Sequence, residues 1–86
     1  MVLSSKQSRV LQAIFAEPTP ANIEWDEIVS LFQALGADCK KGSGSRLRVA
    51  LGNRRATFHR PHPRKEAGRL MVKSVRRFLE EAGVKP

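Results

Sequence analysis

The stretch RLRVALGNRRATFH, residues 46–59, decides the predicted fold because it contains two short runs in which apolar and polar residues alternate. The apolar positions of the two runs are Leu47, Val49, Leu51, Ala56 and Phe58. Successive side chains of a β-strand point to opposite faces, so each run predicts a strand that is apolar on one face only. Gly52 and Asn53, which separate the runs, are turn-forming residues, and the stretch therefore predicts an antiparallel hairpin.

The alternate positions of the same hairpin predict a basic face. They are Arg46, Arg48, Arg55, Thr57 and His59. If the apolar set packs against helices, these five side chains share the open face of the sheet. Arginine pairs bidentately with phosphate, so this face is a candidate RNA-binding surface. Lys40, Lys41 and Arg60 are expected to extend it along the strand ends and the adjoining loop.

The segments next to the hairpin predict one further strand and its limits. ADCKK, residues 37–41, predicts a first strand, and GSGS, residues 42–45, the loop that follows it. PHP, residues 61–63, ends the third strand near Arg60, because proline has no amide hydrogen to donate to the ladder. The sheet is thus expected to have three antiparallel strands.

Three amphipathic segments predict helices around this sheet. The first, residues 4–18, begins with serines that can cap a helix and ends at Pro18. The second, residues 23–36, has an acidic first turn and ends at Gly36. Its predicted buried face consists of Trp25, Ile28, Val29, Phe32 and Leu35. The third runs from about residue 69 to 82, and the order of elements predicts an α+β fold with the helices on one face of the sheet.

Composition indicates one small domain with a polyanionic partner. The chain has 86 residues, of which 41% are hydrophobic, enough for a single modest core. Its net charge is +8, and nine lysines and arginines but no acidic residue lie between Lys40 and Lys65. Nucleic acid fits this charge, while a solvated basic face and an acidic protein partner are the alternatives.

The expected location is the cytoplasm, without membrane contact. Cys39 is the only cysteine, so no internal disulfide can form, as is usual in a reducing compartment. No apolar run approaches the length that spans a bilayer. VLQAIFA, residues 10–16, is too short and too polar for a signal peptide.

His59 and His62, three residues apart, do not predict a metal site. A zinc site usually needs three or four ligands, and Cys39 is the only further soft ligand. The arginines beside the histidines would also repel a cation, so no metal and no cofactor are expected. Cys39 has no base placed beside it in the sequence, and we interpret it as a small residue at a strand edge.

The aromatic residues do not predict a stacking surface for bases. They are Phe15, Trp25, Phe32, Phe58 and Phe78. All five fall on the apolar faces of predicted elements, which leaves none to stack on single-stranded bases. Recognition of phosphate and shape, as in proteins that read double-stranded RNA, is the prediction.

The segment from Trp25 to Glu66, followed by the last helix, resembles the HicA family, the toxins of bacterial HicA–HicB toxin–antitoxin modules. The resemblance covers roughly residues 25–83 and rests on ALGA at the end of the second helix, the Gly-Ser before the second strand, the hairpin, and HPRKE at residues 62–66. It implies a fold like the double-stranded RNA-binding domain, with helix, three strands and helix. Residues 1–86 would form a single domain, in which residues 1–20 are an additional N-terminal helix and linker and residues 21–86 are the core.

The resemblance also implies a function and a site. HicA proteins cleave mRNA without a metal and are inhibited by a HicB-type antitoxin. Their catalytic residue is a histidine directly after Gly-Ser at the start of the second strand, where this chain has Arg46. Arginine can stabilise a phosphate but cannot serve as a base at neutral pH. His62 matches the family's His-Pro, where an ordering role is expected, so His59 is the candidate acid–base group.

Three functions stay open at this point. The chain is either a HicA-like toxin that binds and cleaves mRNA, or a catalytically inactive RNA-binding or partner-binding module of the same fold. A DNA-binding domain is a third reading, for which only Lys73, Arg76 and Arg77 on the last helix offer a basic face.

Overall fold

The computed structural model describes residues 2–86, with three helices and one three-stranded sheet. In chain order the elements are α1 (Ser5–Ile14), α2 (Trp25–Ala34), β1 (Asp38–Lys41), β2 (Arg46–Leu51), β3 (Arg54–His59) and α3 (Arg69–Glu81). This order is the predicted one, and the α+β class is confirmed.

The predicted hairpin forms β2 and β3, and β1 pairs with the other side of β2. Both pairings are antiparallel, and the strand order is β1-β2-β3. Gly52 lies in the turn between β2 and β3 with a φ of 60°, a left-handed conformation that glycine adopts without strain. Because β2 is central, β1 and β3 are the two edges of the sheet.

The helices cover the apolar face of the sheet, and Phe58 of β3 lies at the centre of the contact. Its ring centroid is 5.6 Å from that of Phe32, 5.8 Å from that of Phe78 and 6.2 Å from that of Trp25. Aromatic rings at these separations interact favourably beyond the area they bury. The alternation in β3 therefore places one large side chain where it joins the sheet to α2 and α3.

The buried face of α2 differs from the predicted one at three positions. Leu31 is fully buried together with Ile28 and Phe32, whereas Val29 and Leu35 are only half-buried. Leu31 belongs to the buried core, to which α1 also contributes side chains, and the predicted stripe left it out.

The N-terminal helix is part of the same core as the rest of the chain. α1 begins with a capping box in which Ser4 and Gln7 each accept a backbone hydrogen bond from the other. Ile14 at its end is fully buried, and Val10 and Leu11 are nearly so. The helix packs on α2 and α3, so the sheet is left with one open face.

Candidate nucleic-acid interface

The open face of the sheet carries the predicted basic side chains in direct register. Arg46 lies opposite His59, and Arg48 lies between Lys40 of β1 and Thr57 of β3. Residues opposite each other in an antiparallel pair project from the same face. Arg46, Arg48, Arg55, Thr57 and His59 are all exposed. The five side chains that the alternation predicted thus lie together on one solvent-facing surface.

One carboxylate joins this face, and the sequence analysis missed it. Asp38 of β1 lies opposite Ala50, on the same face as Lys40. Its carboxylate is 3.8 Å from the Lys40 ammonium, and both side chains are largely exposed. Among residues 2–86, no carboxylate lies within 4 Å of the guanidinium of Arg46, Arg48 or Arg55. The positive charge of the face is therefore compensated only at the edge formed by β1.

Lys41 lies on the other side of the sheet from Lys40. It pairs with Leu47, whose side chain faces the helices, so its own side chain leaves the sheet on the helix side. Lys41 therefore does not extend the open face with the other basic residues. It lines a separate cleft instead.

This cleft has a volume of about 840 Å³ and lies between three segments. They are the first turn of α2, the turn that joins β1 to β2, and residues 60–65 after β3. Its cationic lining residues are Lys41, Arg46, Arg60, Arg64 and Lys65. Trp25 lies against its inner wall, while Glu24 and Asp26 provide two carboxylates. Arg46 and Arg60 link the cleft to the end of the open face.

Backbone hydrogen bonds fix the segment that forms one wall of the cleft. The amide of Arg60 donates to the carbonyl of Ser45 at 2.8 Å. Further along, the amide of Trp25 donates to the carbonyl of Lys65, and the amide of Ala67 donates to the carbonyl of Ile23, each at 2.8 Å. Residues 60–67 are thus held at both ends, against Ser45 just before β2 and against the segment that enters α2. The basic run around PHP pointed to this segment in the sequence. Its pairing with residues 23–25 could not be predicted, because the two segments are far apart along the chain.

The two histidines lie in different surroundings. His59 is exposed on the open face across from Arg46, beside a groove between β3 and α3. His62 lines the cleft on the other side of the sheet. Within the described part of the chain, no three side chains of His, Cys, Asp or Glu are grouped as a metal site would require.

Cys39 lies half-buried on β1 opposite Val49, on the helix side of the sheet. Burial, with a further contribution from the negative charge of Asp38, raises the pKa of its thiol. A raised pKa keeps the thiol protonated at neutral pH, so Cys39 is a poor nucleophile.

No helix among residues 2–86 is both long enough and apolar enough to cross a membrane.

Comparison with known proteins identifies one family. A family model described as the HicA toxin of bacterial toxin-antitoxin matches residues 25–84. The match begins at the first residue of α2 and extends beyond α3, so α1 and its linker lie outside it. No curated protein matches the chain, and no solved structure matches it.

Proposed function

The chain belongs to the HicA toxin family of bacterial toxin–antitoxin modules, and on that premise we propose that it binds mRNA and cleaves it without a metal. The observation that carries this proposal is the register between β2 and β3. It places His59 across from Arg46, the position at which the family has its catalytic histidine. The cytoplasm is the compartment where such a protein meets mRNA.

The charge and exposure of the open face support RNA binding. Four of the predicted basic residues, Lys40, Arg46, Arg48 and Arg55, lie on this face, and Arg60 follows at its end. Arginine forks without a carboxylate partner are available for phosphate oxygens. Lys41 contributes to the same proposal from the cleft, where a strand that passes over Arg46 and Arg60 would meet it.

The arrangement of Arg46 and His59 supports cleavage through a 2′-hydroxyl. Cleavage without a metal needs a base that takes the proton of this hydroxyl and an acid that protonates the leaving 5′-oxygen. His59 is exposed, and its neutral imidazole can take the proton of the 2′-hydroxyl as the oxygen attacks phosphorus; the imidazolium so formed can then give that proton to the 5′-oxygen as its bond to phosphorus breaks. Arg46 can stabilise the negative charge that builds on the phosphoryl oxygens. Cross-strand neighbours of this kind have Cβ atoms about 4.5–5.5 Å apart, so both side chains reach one phosphodiester.

A second function is favoured by one specific observation. Arg46 replaces the histidine of the family, and the other histidine of the chain, His62, lies in the cleft on the opposite side of the sheet. His59 is therefore the only histidine on the open face, and the Asp38 carboxylate lies opposite Ala50, four residues along β2 from Arg46. If one group does not suffice, the chain is a catalytically inactive member that retains binding of RNA or of a protein partner.

We also propose a HicB-type antitoxin as the neutralising partner. The family is defined by toxin–antitoxin pairs, and the uncompensated charge of the open face favours an acidic inhibitor. An inhibitor that covers this face would block RNA and shield His59 at once.

The experiment that tests cleavage compares wild type, His59→Ala and His62→Ala on one defined RNA, all purified away from host nucleases. We expect His59→Ala to lose at least about a hundredfold in the rate of cleavage, the usual effect of removing a general base. RNA affinity should change little, because the phosphate-binding arginines remain. His62→Ala is the matched control, since the His62 side chain is also exposed but lies in the cleft.

Three outcomes would change the assignment. Loss of cleavage in His62→Ala but not in His59→Ala would move the catalytic role to the cleft. A wild type that binds RNA without cutting it would establish the inactive binding module. Inhibition of cleavage by a chelator would contradict the metal-independent reaction.

A further inference from the structure

The outer edge of β3 has backbone groups without partners. The amide of Arg60 donates to the carbonyl of Ser45, which makes these two residues a hydrogen-bonded pair. Because hydrogen-bonded and non-hydrogen-bonded pairs alternate in an antiparallel ladder, the amides and carbonyls of Arg55, Thr57 and His59 point away from β2. No backbone hydrogen bond between elements uses them within residues 2–86. Such an edge is a template for one more strand.

A groove of about 600 Å³ runs beside this edge, between β3 and α3. Leu70 and Met71 of α3 line it together with Ala56 and Phe58 of β3. Arg77 and Glu81 of α3 also line it, and they pair with each other at 3.6 Å. Leu70 is 82% exposed, although it is a large apolar residue in a helix. The edge thus combines free hydrogen-bonding groups with an apolar surface, as sites that bind an extended segment do.

The charge of the edge selects between possible occupants. Arg55 and His59 flank the free groups, and neither has a carboxylate within 4 Å in the described chain. A second copy that paired β3 with β3 would bring the Arg54 and Arg55 guanidinium groups of the two copies onto adjacent strands, and like charges there oppose pairing. A segment with carboxylates would be attracted instead. Charge complementarity therefore favours an acidic protein.

We propose that the β3 edge and the groove bind an extended segment of an acidic protein partner, which adds a fourth strand to the sheet. The register dictates the chemistry of that segment. Its residues opposite Arg55, Thr57 and His59 project from the open face and are acidic, while the alternate residues face the groove and are apolar. The inference goes beyond the proposed cleavage and does not depend on it.

The added strand has a consequence for the open face. Its acidic side chains lie in the same row as Arg55 and His59, so they compete with phosphate for those two residues. A partner that uses this edge therefore inhibits RNA binding from the side, without entering the cleft that Lys41 lines.

The test uses the full chain, labelled with nitrogen-15, and a synthetic capped peptide of alternating glutamate and valine. The expected result is a change in the amide resonances of Arg55, Thr57 and His59, with hydrogen exchange of these amides slowed at least about tenfold on binding. The methyl resonances of Leu70 should shift as well. The same peptide with an N-methylated backbone keeps its charges but cannot donate backbone hydrogen bonds, and it should therefore not bind.

Variants of the edge separate strand addition from simple charge attraction. Thr57→Pro removes an outward amide and spares the ladder to β2, because proline is tolerated where the amide faces outward on an edge strand. We expect about a tenfold loss of peptide affinity, the scale of one hydrogen bond left unmade. Thr57→Val, which retains the amide, is the matched control, and Leu70→Ser tests the groove.

Peptide affinity that is unchanged in Thr57→Pro and Leu70→Ser would overturn the proposal, as would resonance changes confined to the cleft. Protection of the three edge amides by a uridine oligonucleotide but not by the peptide would also overturn it and assign the edge to RNA. Arg46→Ala and Arg48→Ala test RNA binding separately, because both residues lie on β2 away from the edge. Their failure to weaken RNA binding would count against the proposed function alone.

Discussion

Arg46 and His59 illustrate how one substitution changes the chemistry available at a position. A histidine at the start of β2 could act as base or acid, whereas Arg46 can only donate hydrogen bonds and positive charge. His59 belongs to the neighbouring strand and projects from the same face. A cross-strand neighbour can therefore supply the proton-transfer group that the first position lacks.

Arg76 is the residue whose role differs most from the one its type suggests. Its guanidinium donates to the carbonyls of Ile14 and Ala16 at 2.7 and 2.9 Å, and to the Thr19 hydroxyl at 3.1 Å. It also pairs with the Glu17 carboxylate at 2.7 Å. Its side chain is only 16% exposed, so it joins α3 to the end of α1 and is no part of a free basic face.

Replacing Arg76 by alanine should lower the free energy of unfolding by about 2–4 kcal/mol, because the carbonyls at the end of α1 lose a charged donor. Urea unfolding followed by circular dichroism measures the change. Arg77→Ala is the control on the next residue, since the Arg77–Glu81 pair is long at 3.6 Å and largely exposed. Its effect should stay within about 0.5 kcal/mol. Equal effects of the two variants would contradict the structural role of Arg76.

At the scale of elements, the sheet could be predicted because the alternation of apolar residues and the turn that define it lie within one short stretch of sequence. The alternation in residues 46–59 and the Gly52-Asn53 turn fix both strands and their register, since a two-residue loop leaves one pairing that keeps all apolar side chains together. The open face could therefore be read from the sequence residue by residue.

The cleft and the attachment of α1 could not be predicted in the same way. They depend on contacts between distant segments, such as the bond from Trp25 to Lys65 and those from Arg76 to residues 14–19. The position of Lys41 also depends on where the short β1 begins to pair, because a shift of one residue exchanges the two faces. Alternation within β1 alone does not determine which of its lysines faces the helices.

The burial of α1 leads to a prediction at this scale. Ile14→Ala should lower the free energy of unfolding by about 2–4 kcal/mol, because truncation of this fully buried side chain leaves a cavity between α1 and the other helices. Urea unfolding should be followed by the fluorescence of Trp25, which lies in the segment matched by the family model. Gln12→Ala, on the exposed face of α1, should change stability by less than about 0.5 kcal/mol. If the Trp25 transition did not move in Ile14→Ala, α1 would be an independent appendage.

For the whole molecule, the two signs of charge are separated. The acidic residues are Glu17, Glu24, Asp26, Glu27, Asp38, Glu66, Glu80 and Glu81. Only Asp38 belongs to the sheet, and the others lie in the helices and their connections. The excess positive charge therefore lies mainly at the sheet and at the loop that follows it. A field of this kind attracts a polyanion toward one side of the molecule.

This separation predicts that the position of a charge matters more than its number. The triple variant Arg46→Ala, Arg48→Ala, Arg55→Ala should bind a uridine oligonucleotide more weakly than wild type. In a plot of log affinity against log salt concentration, its slope should be smaller in magnitude by about 2, because each phosphate contact with a single strand contributes about 0.7 to that slope. The control removes three positive charges that lie outside the sheet, through Arg9→Ala, Lys73→Ala and Lys85→Ala. All three side chains are exposed, and none has a carboxylate within 4 Å in the described chain. Affinity measured by fluorescence anisotropy at several salt concentrations should fall far less in this control. Equal losses of RNA affinity in the two triple variants would mean that binding depends only on net charge. The open face would then not be the RNA-binding surface.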